Sequence, residues 1–259
     1  MSFEFISVET VDHILIVTMN RPEVHNAVHA DMHKEMAQCW DDFAGDANLW
    51  VAILTGAGEK AFSAGNDLKA AAGSGGKKAI PSSGFAGLTS RWDLDKPIIA
   101  AVNGFALGGG FETALSCDII LASSAAKFAL PEVKVGFFAA ASGVQRLTRL
   151  IGPLAARDLL FSGRIIDAHE AHALGCVNEV CDPKELMKRA MEKAEQYCSV
   201  SPSSVRATKR VLNDLMRREG MQASIDFSLD VMAELKTTAD FREGVNAFVE
   251  KRPPRWVNG

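Results

Sequence analysis

The segment Asn103-Gly104-Phe105-Ala106-Leu107-Gly108-Gly109-Gly110-Phe111-Glu112 decides how this chain is read. It follows a nearly all-apolar run, Pro97–Val102, with the length and composition of a strand buried on both faces. It leads into Phe111–Ser116, which has helical character. Three successive glycines remove every Cβ that would keep a ligand from the backbone. The free N–H groups at the start of the helix, with the positive end of its dipole, then point into the loop. Such a loop suits a developing oxyanion, for which one preorganised donor is typically worth about 3–4 kcal/mol of transition-state stabilisation. If the helix begins at Gly109, the Glu112 carboxylate rises on the same face three residues later, an acid–base group beside an oxyanion donor. Glycines at a helix start also serve close packing, and first-turn glutamates also favour the dipole, so the segment alone leaves both readings open. The spacing fits neither G-x-G-x-x-G nor a P-loop, and the chain has no G-x-S-x-G elbow.

Outward from this loop, the pattern is that of an α/β protein. Phe3–Val8 and Ile14–Met19 flank a turn around Asp12 and predict a β-hairpin. Asp31–Phe43 has helical spacing, with Asp31 available as an N-cap. Trp50–Thr55 and Asp118–Ala122 read as further buried strands, so strands alternate with helices and a sheet covered on both faces is expected. A second glycine-bearing loop, Ala61-Phe62-Ser63-Ala64-Gly65-Asn66-Asp67-Leu68, follows the Trp50–Thr55 strand; open α/β sheets bind ligands in such places. Gly73–Gly84, rich in Gly, Ser and Lys, reads as a mobile surface loop. From Leu147 onward helices dominate: Leu154–Phe161, Ala168–Leu174, Pro183–Cys198, Pro202–Arg217, Met221–Leu235 and Thr238–Val249. The last three have no strands between them and predict a C-terminal helical subdomain from about Ser201, packed on a neighbouring subunit.

Composition narrows the function classes. The 259 residues are 47% hydrophobic and 23% charged, the balance of a folded globular protein, and the net charge of −4 lacks the basic footprint of nucleic-acid binding. No run approaches the roughly 20 apolar residues that span a bilayer. The N-terminus lacks the segments of a secretory signal. Cys39, Cys117, Cys176, Cys181 and Cys198 are odd in number, irregular in spacing and without a CxxC pair, as expected of reduced thiols in a cytoplasmic protein. His25, His29 and His33 recur every fourth residue, but the helix is predicted to begin near Asp31, so no metal site is expected. His169 and His172 read as solvated positions on an exposed helix.

The motifs together resemble the enoyl-CoA hydratase/isomerase, or crotonase, family. Phe62-Ser63-Ala64-Gly65-Asn66-Asp67-Leu68, Ile99–Gly104, Gly108–Glu112 and Phe128-Ala129-Leu130-Pro131-Glu132 occur in the family's order, followed by Gln145-Arg146-Leu147, Ser162-Gly163-Arg164 and Phe248–Arg252. The resemblance implies a spiral of β-β-α units over residues 1–200 with a helical region over 201–259, assembled as homotrimers that pair into hexamers. It implies an acyl-CoA thioester as substrate, with coenzyme A part of that substrate and no separate cofactor. The backbone N–H groups of Asn66 and Gly109 would form the oxyanion hole, with Gly108 beside them. Glu112 would activate water and Glu132 deliver the proton to the α carbon. Two acids suit hydration of a 2-enoyl-CoA, whereas a Δ3,Δ2-enoyl-CoA isomerase needs one. Val24, His25, Ala27, Ala64, Asn66, Asp67 and Leu68 would line the coenzyme A site, and Lys251 and Phe248 would approach it from a neighbouring subunit. Phe85, Trp92, Phe137 and Phe138 are candidates for the acyl pocket.

The chain departs from the pattern at Ala139-Ala140-Ala141-Ser142-Gly143, where many hydratases have Pro-Gly-x-Gly-Gly. Ala140 falls where a backbone N–H would help to hold the catalytic water, and the added methyl groups narrow the pocket. Asp67–Ala72, Gly84–Thr89 and Leu94–Pro97 most resemble the carnitinyl-CoA dehydratase branch. That branch has an acidic residue at the position of Ala140, so an unassigned enoyl-CoA is the preferred expectation. An RNA-binding or scaffolding homologue is the non-enzymatic alternative; the acidic balance and both glutamates speak against it.

Overall fold

The computed structural model describes residues 3–73, 80–218, 222, 226, 229–230, 233, 236–237 and 239–253. The N-terminal hairpin pairs β1 (Ile6–Val11) with β2 (Ile14–Met19) across a two-residue turn in which Asp12 takes a positive φ of 50°. β1 begins later than the predicted Phe3–Val8 because the Glu4 and Phe5 N–H groups donate to the Glu35 carboxylate, both at 2.8 Å. α1 runs Ala30–Gly45, so His29, not Asp31, occupies the N-cap position. Asp31 lies in the first turn and pairs with Lys34 instead.

The chain then repeats a strand–strand–helix unit. β3 (Val51–Gly56) and β4 (Ala61–Ser63) lead to α2 (Leu68–Gly73), and β5 (Ile98–Val102) and β6 (Phe105–Leu107) lead to α3 (Gly109–Leu115). β7 (Ile119–Ser123) and β8 (Lys127–Ala129) lead through a short 3-10 turn, Pro131–Val135, to α4 (Gly143–Ser162). β9 (Ile166–Asp167), α5 (Ala168–Leu174), β10 (Glu179–Cys181) and α6 (Leu186–Cys198) follow. The first strand of each unit joins a six-stranded sheet, β1-β2-β3-β5-β7-β10, parallel from β2 onward. The second joins a four-stranded sheet, β4-β6-β8-β9, parallel except at β9.

Strand periodicity explains the layering. Ala52, Leu54, Ala100 and Val102 enter the main core, while alternate residues Val51, Ile53, Ile99 and Ala101 pack against Leu186, Ala190 and Ala194 of α6. Because both faces are buried, the strands read as continuous apolar runs. The short strands of the second sheet escape that signal: β4, β6 and β8 have three residues each.

Two of the predicted C-terminal helices make contacts within the chain. α7 (Pro202–Arg218) is held by Arg206 to Asp95 (2.9 and 3.1 Å), Lys209 to Asp118 (2.7 Å) and Asn213 to the Trp92 carbonyl (3.1 Å). α8 (Ala239–Glu250) lies on the Pro131–Val135 turn: Phe241 meets Phe137 edge-on at 4.6 Å, and a Cβ at Gly244 would stand 2.5 Å from the Val135 carbonyl oxygen. The predicted Met221–Leu235 helix and the middle of the Gly73–Gly84 loop lie largely outside the described residues.

Candidate active site

Parallel pairing of β4 with β6 brings their following loops side by side. Gly65 has φ 86°, and a Cβ there would lie 2.6 Å from the Leu107 carbonyl oxygen and 2.8 Å from the Gly109 nitrogen. The backbone at Asn66 is therefore pressed against the start of α3, a contact that only glycine at 65 permits. On either side of Asn66 the backbone is fixed to Val28, by Val28 N–H to Gly65 O (2.7 Å) and Asp67 N–H to Val28 O (3.0 Å). Among the described residues, no acceptor is assigned to the Asn66 or the Gly109 N–H. The side chain of Asn66 is exposed.

A residue that sequence reasoning passed over sets the first loop. Asn26 is fully buried at φ 55°, following His25, also at 55°. Its amide accepts from Arg21 N–H (2.9 Å) and donates to the Ala57 and Ala61 carbonyls (3.0 and 2.8 Å). Its carbonyl accepts from Ser63 Oγ (2.8 Å), which in turn accepts from Gly65 N–H (3.1 Å). Its sequence signal was weak: asparagine tolerates the left-handed region, but so do many turn asparagines.

Two acids lie near the start of α3. Glu112, on α3, retains 3% exposure, and its Oε1 accepts from Gly143 N–H at 2.8 Å, with Ala141 N–H also donating to the carboxylate. Burial first, and the charge of Glu132 second, push its pKa well above the ordinary range; the two N–H donors and Arg146 pull it back. Glu132 follows Pro131 at the start of the 3-10 turn, and its Oε1 lies 2.9 Å from the point where a Cβ at Gly108 would stand. Its Oε2 is enclosed without a hydrogen-bond partner, and burial raises the group to about 7. Because the charge of Glu132 acts on Glu112, the two carboxyls titrate as a pair. The main-chain donors and Arg146 oppose burial at Glu112, while at Glu132 only its own N–H does so.

Phe85 forms a wall of the site. Its ring abuts Gly109, where a Cβ would fall 2.5–2.8 Å from ring carbons. The next residue, Ala86, takes φ 50° and is clamped by His33 and Trp40: its N–H donates to His33 Nδ1 (3.0 Å), and its carbonyl accepts from Trp40 Nε1 (3.1 Å). Burial holds His33 near pKa 4, so it remains a neutral acceptor. The three histidines therefore diverge: His25 lies on the rim, His29 packs edge-on to Phe5 at 4.4 Å, and His33 is committed to Ala86. Among the described residues no cluster of three metal-ligating side chains occurs.

The family model described as enoyl-CoA hydratase/isomerase matches residues 9–259. This chain belongs to that family. A carnitinyl-CoA dehydratase of Salmonella arizonae is 44% identical over 247 residues, 94% of each chain. The crystal structure of carnitinyl-CoA hydratase from Mycobacterium avium matches with a TM-score of 0.91 at 34% identity, covering 98% of this chain and 99% of that one. The enoyl-CoA hydratase from Mycobacterium tuberculosis H37Rv matches with a TM-score of 0.78 at 39% identity, covering 98% and 99%. The crotonase-type spiral implied by the motifs is the architecture of this family member.

The remaining expected site residues fall in different places. Val24 and His25 are exposed and Ala27 is buried, while Ala64 and Leu68 are half-buried. Asp67 is occupied structurally: it accepts from Ala70 N–H (3.0 Å) at the start of α2 and pairs with Arg21 (3.0 Å), and these partners outweigh burial to hold its carboxyl below the usual range. Phe137 packs on Phe241, and Ala140 lies half-buried just before the loop that binds Glu112. Lys251 ends α8 at φ 54° with an exposed side chain.

Proposed function

We propose that the protein reversibly hydrates a 2-enoyl-CoA thioester to the 3-hydroxyacyl-CoA. The observation that carries this is the pairing of buried Glu112 with half-buried Glu132, whose Oε2 is enclosed, near two backbone N–H groups that have no acceptor among the described residues. The thioester carbonyl oxygen would accept from Asn66 and Gly109, so negative charge moved onto it during addition is stabilised as an enolate. Glu112, in its carboxylate form, takes a proton from water as the water oxygen bonds to the β carbon. Glu132 supplies a proton to the α carbon, and dehydration reverses both steps. Coenzyme A enters with the substrate over the Val24–Ala27 and Ala64–Leu68 rims, and the reaction needs no other cofactor.

A carnitinyl-CoA substrate is the second reading, favoured by the relatives that carry that name. Against it stands Ala140, which offers a cationic trimethylammonium group no charge. Residues 1–200 would carry the site, and 201–259 the helical region. Leu154 (81% exposed) and Phe161 (77%) on α4 support assembly as a homotrimer or a hexamer. The five free thiols support a cytoplasmic setting.

The test is a hydration assay over saturated-tail enoyl-CoA thioesters and crotonobetainyl-CoA, with wild type, Glu112→Gln and Glu132→Gln. Each substitution should lower kcat by at least about a hundredfold while coenzyme A still binds by calorimetry. Intact hydration in Glu112→Gln, with double-bond migration lost in Glu132→Gln, would favour an isomerase instead.

A further inference from the structure

The loop that binds Glu112 is itself held in an unfavourable conformation. Ser142, between the two N–H donors of Ala141 and Gly143, sits at φ 83°, ψ 3°, a region that residues other than glycine, asparagine and aspartate seldom enter. Its hydroxyl accepts from Arg146 Nε (2.9 Å), and its carbonyl from Arg146 N–H (2.9 Å). The same guanidinium donates to the Thr89 carbonyl (3.3 Å) and lies 4.7 Å from the Trp92 ring centre. The Thr89 hydroxyl accepts from Phe85 N–H (2.8 Å), and Phe85 walls the oxyanion donor Gly109.

We infer that Arg146 is a positioning residue for the hydration step: it ties the Glu112-binding loop to the Phe85 wall and sets a positive charge near Glu112. This rests on the hydratase reading above. Burial lowers Arg146 only to about 10, so it stays cationic at neutral pH. The groups facing it are Glu112, Cys117, Asp118 and Arg149, with Asp118 already paired to Lys209. Those facing Glu112 are Glu132, Arg146 and the Ala141 and Gly143 N–H groups. A nearby cation favours the carboxylate, so removing it raises the upper titration of the acid pair.

The experiment compares Arg146→Met and Arg146→Lys by kinetics and by infrared titration of the protonated-carboxyl band in ligand-free protein, with Glu112→Gln assigning the band. Arg146→Met should lower kcat at least about tenfold, leave KM within about threefold and move the titration upward by roughly 0.5–1 pH unit. Arg146→Lys should restore the titration. A folded Arg146→Met with wild-type kcat and an unmoved band overturns the inference, as does a lysine variant shifted as far as the methionine one. Should Arg146→Met fail to fold, Ser142→Ala removes only the hydroxyl acceptor; it should lower kcat several-fold with coenzyme A affinity unchanged, and wild-type kcat overturns the inference. Lack of wild-type turnover on every enoyl thioester would sink the hydratase reading, while the substrate-free titration would still decide the role of Arg146.

Discussion

Gly109→Ala isolates the proposed oxyanion donor. The new Cβ would stand 2.5 Å from Phe85 Cζ and 2.8 Å from both Cε atoms, against an ordinary carbon–carbon contact of about 3.5–4.0 Å. Roughly 1 Å must be found. Phe85 cannot supply it easily: the ring is buried, its N–H is bound to Thr89, and Ala86 is clamped by His33 and Trp40. The backbone at residue 109 should therefore yield, moving its N–H outside the 2.7–3.1 Å that an oxyanion requires. Loss of one such donor costs about 2.7–4 kcal/mol, or a fall of about 10²–10³ in kcat. Stopped-flow or steady-state hydration of an enoyl-CoA reads this directly, with circular dichroism to confirm folding. Adding Phe85→Ala removes the obstructing ring and should recover at least tenfold of the loss. A folded Gly109→Ala within about threefold of wild type would refute the assignment, as would a double variant no better than the single.

Burial raises Glu132 to about 7, above its unfolded value, so the unfolded chain ionises first as pH climbs from about 4.5. Stability is thus lost progressively between roughly pH 4.5 and 7, and Glu132→Gln should be more stable than wild type by about 3 kcal/mol at pH 8 and equal to it near pH 4 by urea unfolding. Equal stability at both pH values would contradict the buried placement of the group. Asn26→Ala removes the three side-chain hydrogen bonds under the Ala64–Asn66 loop and should cost about 3 kcal/mol in the same assay; a loss under 1 kcal/mol would show that the loop is held by other means. Leu154→Glu with Phe161→Glu should reduce the particle mass by light scattering to that of one chain, and an unchanged mass would place the assembly surface elsewhere.

The long strands and most helices were legible because each carries a periodic apolar pattern: Ile14–Met19 and Ala168–Leu174 were predicted with the bounds that the structure has. The second sheet was not, since its three-residue strands are too short to show a period. Helix α4 was seen only from Leu154, because Gly152-Pro153 reads as a stop; the chain takes it as a kink, with Gly152 at φ 78°. Glu112 and Gly109 could be paired from their spacing on one helix. Glu132 could be joined to them only through resemblance, because its approach to Gly108 depends on a contact 24 positions away in the chain.

By itself, then, the sequence determined the local chemistry: the glycine run that bares N–H groups, the first-turn acid and the motif order that marks the family. Tertiary structure decided what those groups do to one another. Asn26, Ser142, His33 and Arg146 act through hydrogen bonds to backbone held in left-handed turns, and neither the turn nor its partner follows from local pattern. The raised pKa values of Glu112 and Glu132 arise from desolvation and proximity, which exist only once the strands have stacked and water has been displaced.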